Sequence, residues 1–385
     1  MSSEEDEILE LHERNTGVLS MHPEFDVKNK TDLGKAYTPG VAKIAKIIEK
    51  DPSKKDVYTM SGKLVALVTD GSAVLGLGNV GPGAGLPIVE GKCLLYKTFS
   101  GVDALPVAIN QVNVDEFVQT LKNMAPTFAG IHLEDIKAPR CFEIQEKLEK
   151  ELDLPIYHDD QQGTAIVVLA GLINAAKLVH KSLTNMSVVV NGAGASGLAT
   201  AKLLAYVGMK KIVLVDKDGV IQINDKDESN NKYQKDFVNE LGYEPNGQTL
   251  SDVIKDKDVF IGLSVNDVLS KEDVKNMAKD PIIFALANPK PEIMPDDAID
   301  AGAAIVATGS SQYPNQVNNV LAFPGLFKAL LENNVKKVTY DIQETVAKAI
   351  ANVLGDKIDK DHIVPDVFNK DIVDTICQTV RNKVN

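Results

Sequence analysis

The sequence predicts an α/β protein of two parts, a doubly wound parallel sheet over residues 161–385 preceded by a second α/β domain over 1–160. Three observations lead there. Short apolar runs alternate with stretches of helical spacing, the pattern that builds parallel sheets. One of those runs passes straight into a glycine turn and a helix start. The 385 residues, 44% hydrophobic and 25% charged, suit about two domains, each long enough to bury apolar surface. A net charge of -13 disfavours nucleic acid and anionic membrane surfaces as partners. It leaves room for a small anionic ligand, because one local cation outweighs a distant average field.

Taken in order, the acidic start MSSEEDEILELHER predicts a helix over 4–14, with Ser3 and Asp6 spaced as a capping pair. It has neither the basic start nor the apolar core of a secretory signal. Leu64–Val68 and Gly130–Leu133 read as strands, 114–124 and 139–151 as helices. Between them, GSAVLGLGNVGPGAG is so rich in glycine that it reads as a close-approach loop, not a strand or helix interior. A helix is expected from Gly163 to about Lys181. Its apolar core, Ala165–Ile173, is too short to span a bilayer. Strands are expected at 186–191, 211–216, 258–263, 282–287 and 303–307, with the polar stretch 217–250, which holds KDESNNK, as a surface excursion. The tail from Pro324 is helical in pattern and expected to pack back on the first half. Cys93, Cys141 and Cys377 lie far apart with no CxxC pair. They predict reduced, buried thiols and a cytoplasmic location, not a disulfide framework or a zinc site.

The strongest local signal is MSVVVNGAGASGLATAKLL, a strand, a glycine turn and a helix start in sequence. In the run Gly192, Ala193, Gly194, Ala195, Ser196, Gly197, the first glycine allows the tight turn. The second admits a pyrophosphate, and the third lets helix and strand pack closely. The helix N-terminus then offers free N–H groups to the phosphates. This is the Rossmann-type pattern. Asp216, at the end of IVLVD, stands where an acid hydrogen-bonds a ribose 2′-hydroxyl, which favours NAD over NADP, and Lys217 beside it softens that preference. The plainer alternative is a ligand-free glycine turn.

Two acidic pairs follow apolar runs: Glu134 and Asp135 after GIHL, Asp159 and Asp160 after PIYH. Strand ends are where ligand sites of open α/β sheets gather. Neighbours on a regular strand point to opposite faces, so both members of a pair converge only if the backbone leaves the strand there. Converging carboxylates repel unless a cation sits among them, and hard oxygen ligands without cysteine point to Mg²⁺ or Mn²⁺. His132 and His158 are nearby, either as further ligands or, more ordinarily, as packed and hydrogen-bonded groups. Acidic doublets can also be solvated loop residues or helix caps.

HDDQQGTAIV, from His158, resembles the signature of malic enzymes, and it does not stand alone. YTPGVA from Tyr37, TDGSAVLGLGNVGP from Thr69, EGKCLLYKTF from Glu90, HLEDI from His132, ALANPKPEI from Ala285 and PNQVNNVLAFPG from Pro314 fall in the order of the short, bacterial-type members, across nearly the whole chain. The resemblance implies that Glu134, Asp135 and Asp160 hold the metal. Lys92 would be the general base, kept in place by Asp159, and Tyr37 the general acid. Asn288, Asn318 and Asn319 would lie near substrate and nicotinamide, alongside Lys92. It also implies a homodimer in which Tyr37 reaches the neighbour's site. One departure is evident: larger members carry a substrate-binding arginine in the TDG loop, where Ser72 and Ala73 stand here.

The implied activity is oxidative decarboxylation of L-malate to pyruvate and carbon dioxide with NAD or NADP and Mg²⁺ or Mn²⁺. A lysine serves as base only when its amine is neutral, which burial and a nearby dication promote. Without the motif Lys92 would read as a solvated or strand-edge lysine, as Lys97 does, and Tyr37 as a packed turn aromatic. Two rivals remain. One is a metal-dependent oxaloacetate decarboxylase on the same scaffold. The other is an idle cofactor-binding protein, which would require a lost chemical group.

Overall fold

The computed structural model describes residues 3–223 and 228–384. Four N-terminal helices, α1 (Ser3–Asn15), α2 (Lys30–Ala36), α3 (Gly40–Lys50) and α4 (Lys55–Tyr58), lie on the outside. α2, α3 and α4 bury no residue. The side chain of Ser3 lies outside the described residues, and with it the expected capping pair.

The first sheet follows as β1 (Leu64–Thr69), α5 (Gly81–Ser100), β2 (Asp103–Ala108), α6 (Val114–Met124), β3 (Gly130–Glu134), α7 (Arg140–Glu151) and β4 (Ile156–His158). Its strands are all parallel, in the order β2-β1-β3-β4, with Val65 opposite Ala104 and Leu133 opposite His158. β1, LVALVT, is buried throughout, as a strand covered on both faces must be. α8 (Thr164–Leu178) is apolar all round and accordingly buried along most of its length.

The second sheet runs β5 (Ser187–Asn191), α9 (Ala195–Tyr206), β6 (Lys211–Asp216), β7 (Gly219–Val220), α10 (Lys232–Leu241), α11 (Leu250–Val253), β8 (Val259–Gly262), α12 (Lys271–Lys275), β9 (Ile282–Ala285), α13 (Pro295–Asp300) and β10 (Ile305–Thr308). Its order is β10-β9-β8-β5-β6-β7, parallel except for the two-residue edge strand β7. The chain winds outward from β5 in one direction and then crosses to β8 to build the other. The doubly wound sheet is therefore present, with its switch point between β5 and β8. The tail forms α14 (Phe323–Glu332), α15 (Tyr340–Asn352) and α16 (Asp371–Val384). The ring of Tyr96 from α5 packs against Phe323 and Phe327 of α14, with centroids 4.8 and 5.6 Å apart, so the tail does return to the first half. One apolar cluster is continuous from the first sheet through α8 and α14 to one face of the second, and a smaller cluster covers the second sheet's other face.

Two expectations need correcting. The glycine-rich segment is a loop only as far as Val80; Gly81–Gly85 form the first turns of α5, where Pro82 suits the helix start. A Cβ at Gly85 would stand 3.4 Å from the Cα of Gly71, so glycine there serves close helix–strand approach inside a helix. Residues 217–250 are not merely an excursion. Tyr233, Gln234, Phe237 and Val238 of α10 share an inward face, a helical period diluted by the polar residues around it. Lys92 lies on α5. Among the described residues no helix is long and apolar enough to cross a membrane, and the three cysteines are free and buried.

Candidate active site

The acidic pairs converge because the backbone breaks its strand geometry at both. Asp135, the residue after β3, has φ 56°, in the left-handed region that non-glycine residues rarely enter. Beyond β4, Asp159–Gly163 form a single π-helical turn ahead of α8. Together these bring carboxylate oxygens of Glu134, Asp135 and Asp160 within 4.8 Å of one another. The Asp135 N–H donates to Asp160 Oδ2 at 3.0 Å, pinning one pair to the other.

Lys92 completes the group from α5. Its Nζ donates to Glu134 Oε2 at 2.6 Å and to Asp159 Oδ2. Asp159, fully buried, also accepts from Tyr157 OH at 2.7 Å and from Asn319 Nδ2 at 3.0 Å. Sequence reasoning gave Asp159 the task of holding Lys92; its position suits that task. Burial pushes the carboxyls of Glu134, Asp135 and Asp160 up to about 7. Burial works the same way on Asp159, but Lys92 first and His132 second hold it down. Two influences oppose each other at the Lys92 amine. Burial pulls it down, yet Asp159, Glu134 and Asp160 together hold it above the ordinary lysine value. Two of those three belong to the acidic cluster, so a cation placed there is what would release the lysine proton.

The residues fit a hard divalent ion. Asp135 Oδ2 is buried with no hydrogen-bond partner, an arrangement that a bound cation would satisfy. His132 is not free to serve as a ligand: Nδ1 meets Tyr96 OH at 2.8 Å and Nε2 meets Glu134 Oε2 at 2.9 Å. Burial pulls its imidazole down to about 3, so the neutral ring accepts from Tyr96 and donates to Glu134. His158 is buried with both ring nitrogens unpartnered, 3.7 Å from Asp160 Oδ2.

These groups open onto a cleft of about 470 Å³ lined by Lys92, Glu134, Asp135, Asp160, Ser196, Asn288, Asn318 and Asn319, with Val74, Leu75 and Leu77 on one rim. The nucleotide turn thus shares a cavity with the acids. Gly192 has φ +104°, and a Cβ on Gly197 would come within 1.7 Å of the Gly192 carbonyl oxygen, whereas a Cβ on Gly194 would meet no protein atom within 4 Å. α9 begins there with no side-chain cap, leaving its N–H groups for a phosphate. The cradle therefore fits a dinucleotide. Gly197→Ala should lower unfolding stability by about 1–3 kcal/mol or more in urea titrations, because backbone cannot yield as a side chain does. Gly194→Ala should leave that stability unchanged and weaken dinucleotide affinity instead. Equal effects of the two on stability would contradict the assignment.

Two sequence candidates stand apart. Asp216 ends β6 away from the cleft lining, where its Oδ2 accepts from Gln234 Nε2 at 3.1 Å. Tyr37 is 65% exposed and is not among the cleft residues. Among the described residues no arginine lines the cleft either. Arg140 sits 3.2 Å from the buried Asp70, which also binds Ser72 and so anchors the glycine loop. The hydrogen-bonded reading of His132 is the one found, but sequence reasoning missed Tyr96, Tyr157, Gln234 and Glu292. The last is wholly buried and accepts from the N–H groups of Ser264 and Ala287 at 3.1 and 2.9 Å, tying together the loops after β8 and β9 that flank Asn288. Glu292 lay within ALANPKPEI and Tyr96 within EGKCLLYKTF, and nothing in either motif marked them from their neighbours.

Comparison with known proteins agrees with this geometry. Residues 18–149 match the malic enzyme N-terminal domain, and residues 161–384 the malic enzyme NAD binding domain. The bifunctional malic/malolactic enzyme of Bacillus subtilis is 49% identical over 379 residues, 97% of this chain and 92% of its own. The NAD-dependent malic enzyme of Geobacillus stearothermophilus is 45% identical over 94% of this chain and 76% of its own; NADP-dependent malic enzymes are also among the relatives. The crystal structure of malic enzyme from Pyrococcus horikoshii superposes with a TM-score of 0.95 at 41% identity, covering 98% of this chain and 90% of that one. A lysine pinned between acids in a cleft shared with a nucleotide turn, and both domain matches in order, lead to one conclusion: the chain belongs to the malic enzyme family.

Proposed function

We propose that this protein oxidises L-malate at C2 and decarboxylates the product to pyruvate, passing the hydride to NAD or NADP. The observation that carries this reading is the Lys92 amine, held by Glu134 and Asp159 on the wall of the cleft that Ser196 of the nucleotide turn also lines. Glu134, Asp135 and Asp160 would hold Mg²⁺ or Mn²⁺. When bound, that ion supplies Lewis acidity to the substrate's oxygens and positive charge that offsets the carboxylates around Lys92. Lys92 takes the C2 hydroxyl proton as hydride leaves C2, with Asp159 and Asn319 fixing the amine's direction. Asn288 and Asn318, which line the same cleft, offer amide groups to substrate and nicotinamide. Loss of carbon dioxide from the β-keto acid leaves C3 to be protonated, a task for a positioned tyrosine hydroxyl.

Tyr37 suits that task if a second copy delivers it. It is exposed in its own chain, in an N-terminal segment that also exposes Leu9, Phe25, Val27, Leu33 and Val41, and exposed apolar side chains of this kind suit an interface. The reading is therefore a homodimer with shared sites and a chain division near residue 160. The three buried thiols favour the cytoplasm, and Asp216 favours NAD. Mixing inactive Tyr37→Phe and Lys92→Ala chains should restore about half of wild-type activity in each mixed dimer, and so about a quarter across a randomly paired mixture. No recovery in a confirmed mixed dimer would exclude sharing.

The deciding assay follows reduced nicotinamide with malate and each cofactor in turn, with and without Mn²⁺, and measures pyruvate. Carbon dioxide release from oxaloacetate without malate-driven reduction would overturn the proposal in favour of a lyase.

A further inference from the structure

The face of α10 that packs inward carries one polar residue whose every hydrogen-bonding group is engaged. Gln234, 4% exposed, donates from Nε2 to the Ala193 carbonyl at 2.8 Å and to Asp216 Oδ2 at 3.1 Å, while Oε1 accepts from the Asn231 N–H at 2.8 Å. A primary amide has two N–H donors and one carbonyl acceptor. These three partners fix its orientation, since a flipped amide would set oxygen against a carbonyl and a carboxylate, and N–H against N–H. Asp216 is held from the other side as well, its Oδ1 accepting from the Lys217 N–H at 2.9 Å.

Ala193 lies in the glycine turn, and Asp216 is the acid at the ribose position. One side chain from a third element therefore joins the two halves of the nucleotide cradle. We propose that Gln234 locks the Asp216 carboxylate and thereby sets the preference for NAD over NADP. The proposal rests on the nucleotide reading given above.

The physical argument concerns where a 2′-phosphate could go. Asp216 excludes it by charge only while its carboxylate stays in place. A free aspartate relieves the repulsion by rotating away, but this one would have to leave both the Gln234 and Lys217 donors. Lys217 does not offer the phosphate a ready partner. Its side chain is 80% exposed and reaches Asp218 at 3.7 Å. With the amide removed, Asp216 loses its anchor: affinity for NAD falls because the ribose acceptor is no longer oriented, and exclusion of NADP weakens because the acceptor can move.

Isothermal titration of the full-length protein with NAD and with NADP, without malate, tests this by binding alone. Gln234→Leu keeps the apolar stem and removes the amide. Gln234→Glu keeps the acceptor for Asn231 and sets a carboxylate against Asp216 and the Ala193 carbonyl. Both should raise Kd for NAD by about tenfold, the scale of one lost hydrogen bond to a charged group, and shrink the NAD:NADP affinity ratio by a similar factor. Asn231→Ala is the structural control. It removes the cap that accepts from the Tyr233 and Gln234 N–H groups at 3.0 and 3.2 Å but leaves the Gln234 amide, so the ratio should hold. A ratio within twofold of wild type in a folded Gln234 variant overturns the proposal, as does an equal change in Asn231→Ala or a wild-type preference for NADP. A wild-type protein that binds neither dinucleotide would overturn the nucleotide reading itself.

Discussion

Lys92→Ala should lower kcat for malate oxidation by about 10³-fold, in the range that a positioned proton-transfer group supplies. Among the described residues lining the cleft Lys92 is the one cationic side chain, and no neighbouring base stands ready to replace it. The substitution also leaves Glu134 and Asp159 buried without their partner, and breaking such a pair costs about 3–5 kcal/mol. Activity must therefore be read beside thermal unfolding. Adding a primary alkylamine should recover part of the turnover in Lys92→Ala, because the pocket left beside Glu134 and Asp159 binds an ammonium group. A folded variant working within tenfold of wild type would remove Lys92 from the role of base.

The acidic cluster gives the second large effect, and its sign reverses with metal. In chelator, Asp135→Asn should match or exceed the wild-type melting temperature, since one of several crowded, buried carboxylates is neutralised. The backbone should not object, because asparagine tolerates the left-handed φ of 56° found there. In Mn²⁺ the order should invert. At a concentration a hundredfold above Kd, wild-type protein gains about 2.7 kcal/mol from binding, and the variant should lose most of that gain. Calorimetric scans with and without Mn²⁺ decide it. A variant that keeps the full Mn²⁺ shift would show that Asp135 is no ligand.

Much of this was legible in the chain. The strands of the second sheet were readable because each is a short apolar run closed by turn residues, and Gly192–Gly197 because a strand and a helix flank it. The acidic pairs stood out as doublets at strand ends. Gln234 was not legible, since a glutamine inside a polar stretch carries no periodic or motif signal. Tyr96 was hidden for the opposite reason, being an ordinary member of an apolar segment whose hydroxyl matters only through its contact with His132. The start of α5 was misread because Gly81, Gly83 and Gly85 in its first turns carry the same glycine signal as the loop before them.

Sequence by itself determined the order of elements, the nucleotide turn and the chemical types gathered for the site, because periodicity and residue identity are local properties. Tertiary structure decided which groups touch: that Glu134, Asp135 and Asp160 meet, that Lys92 is clasped by Glu134 and Asp159, and that Tyr37 stays outside its own cleft. It also set the charges that surround the Lys92 amine. Burial is a tendency that composition hints at, whereas the charges facing a buried amine come from segments more than forty residues away, and only folding sets their distances.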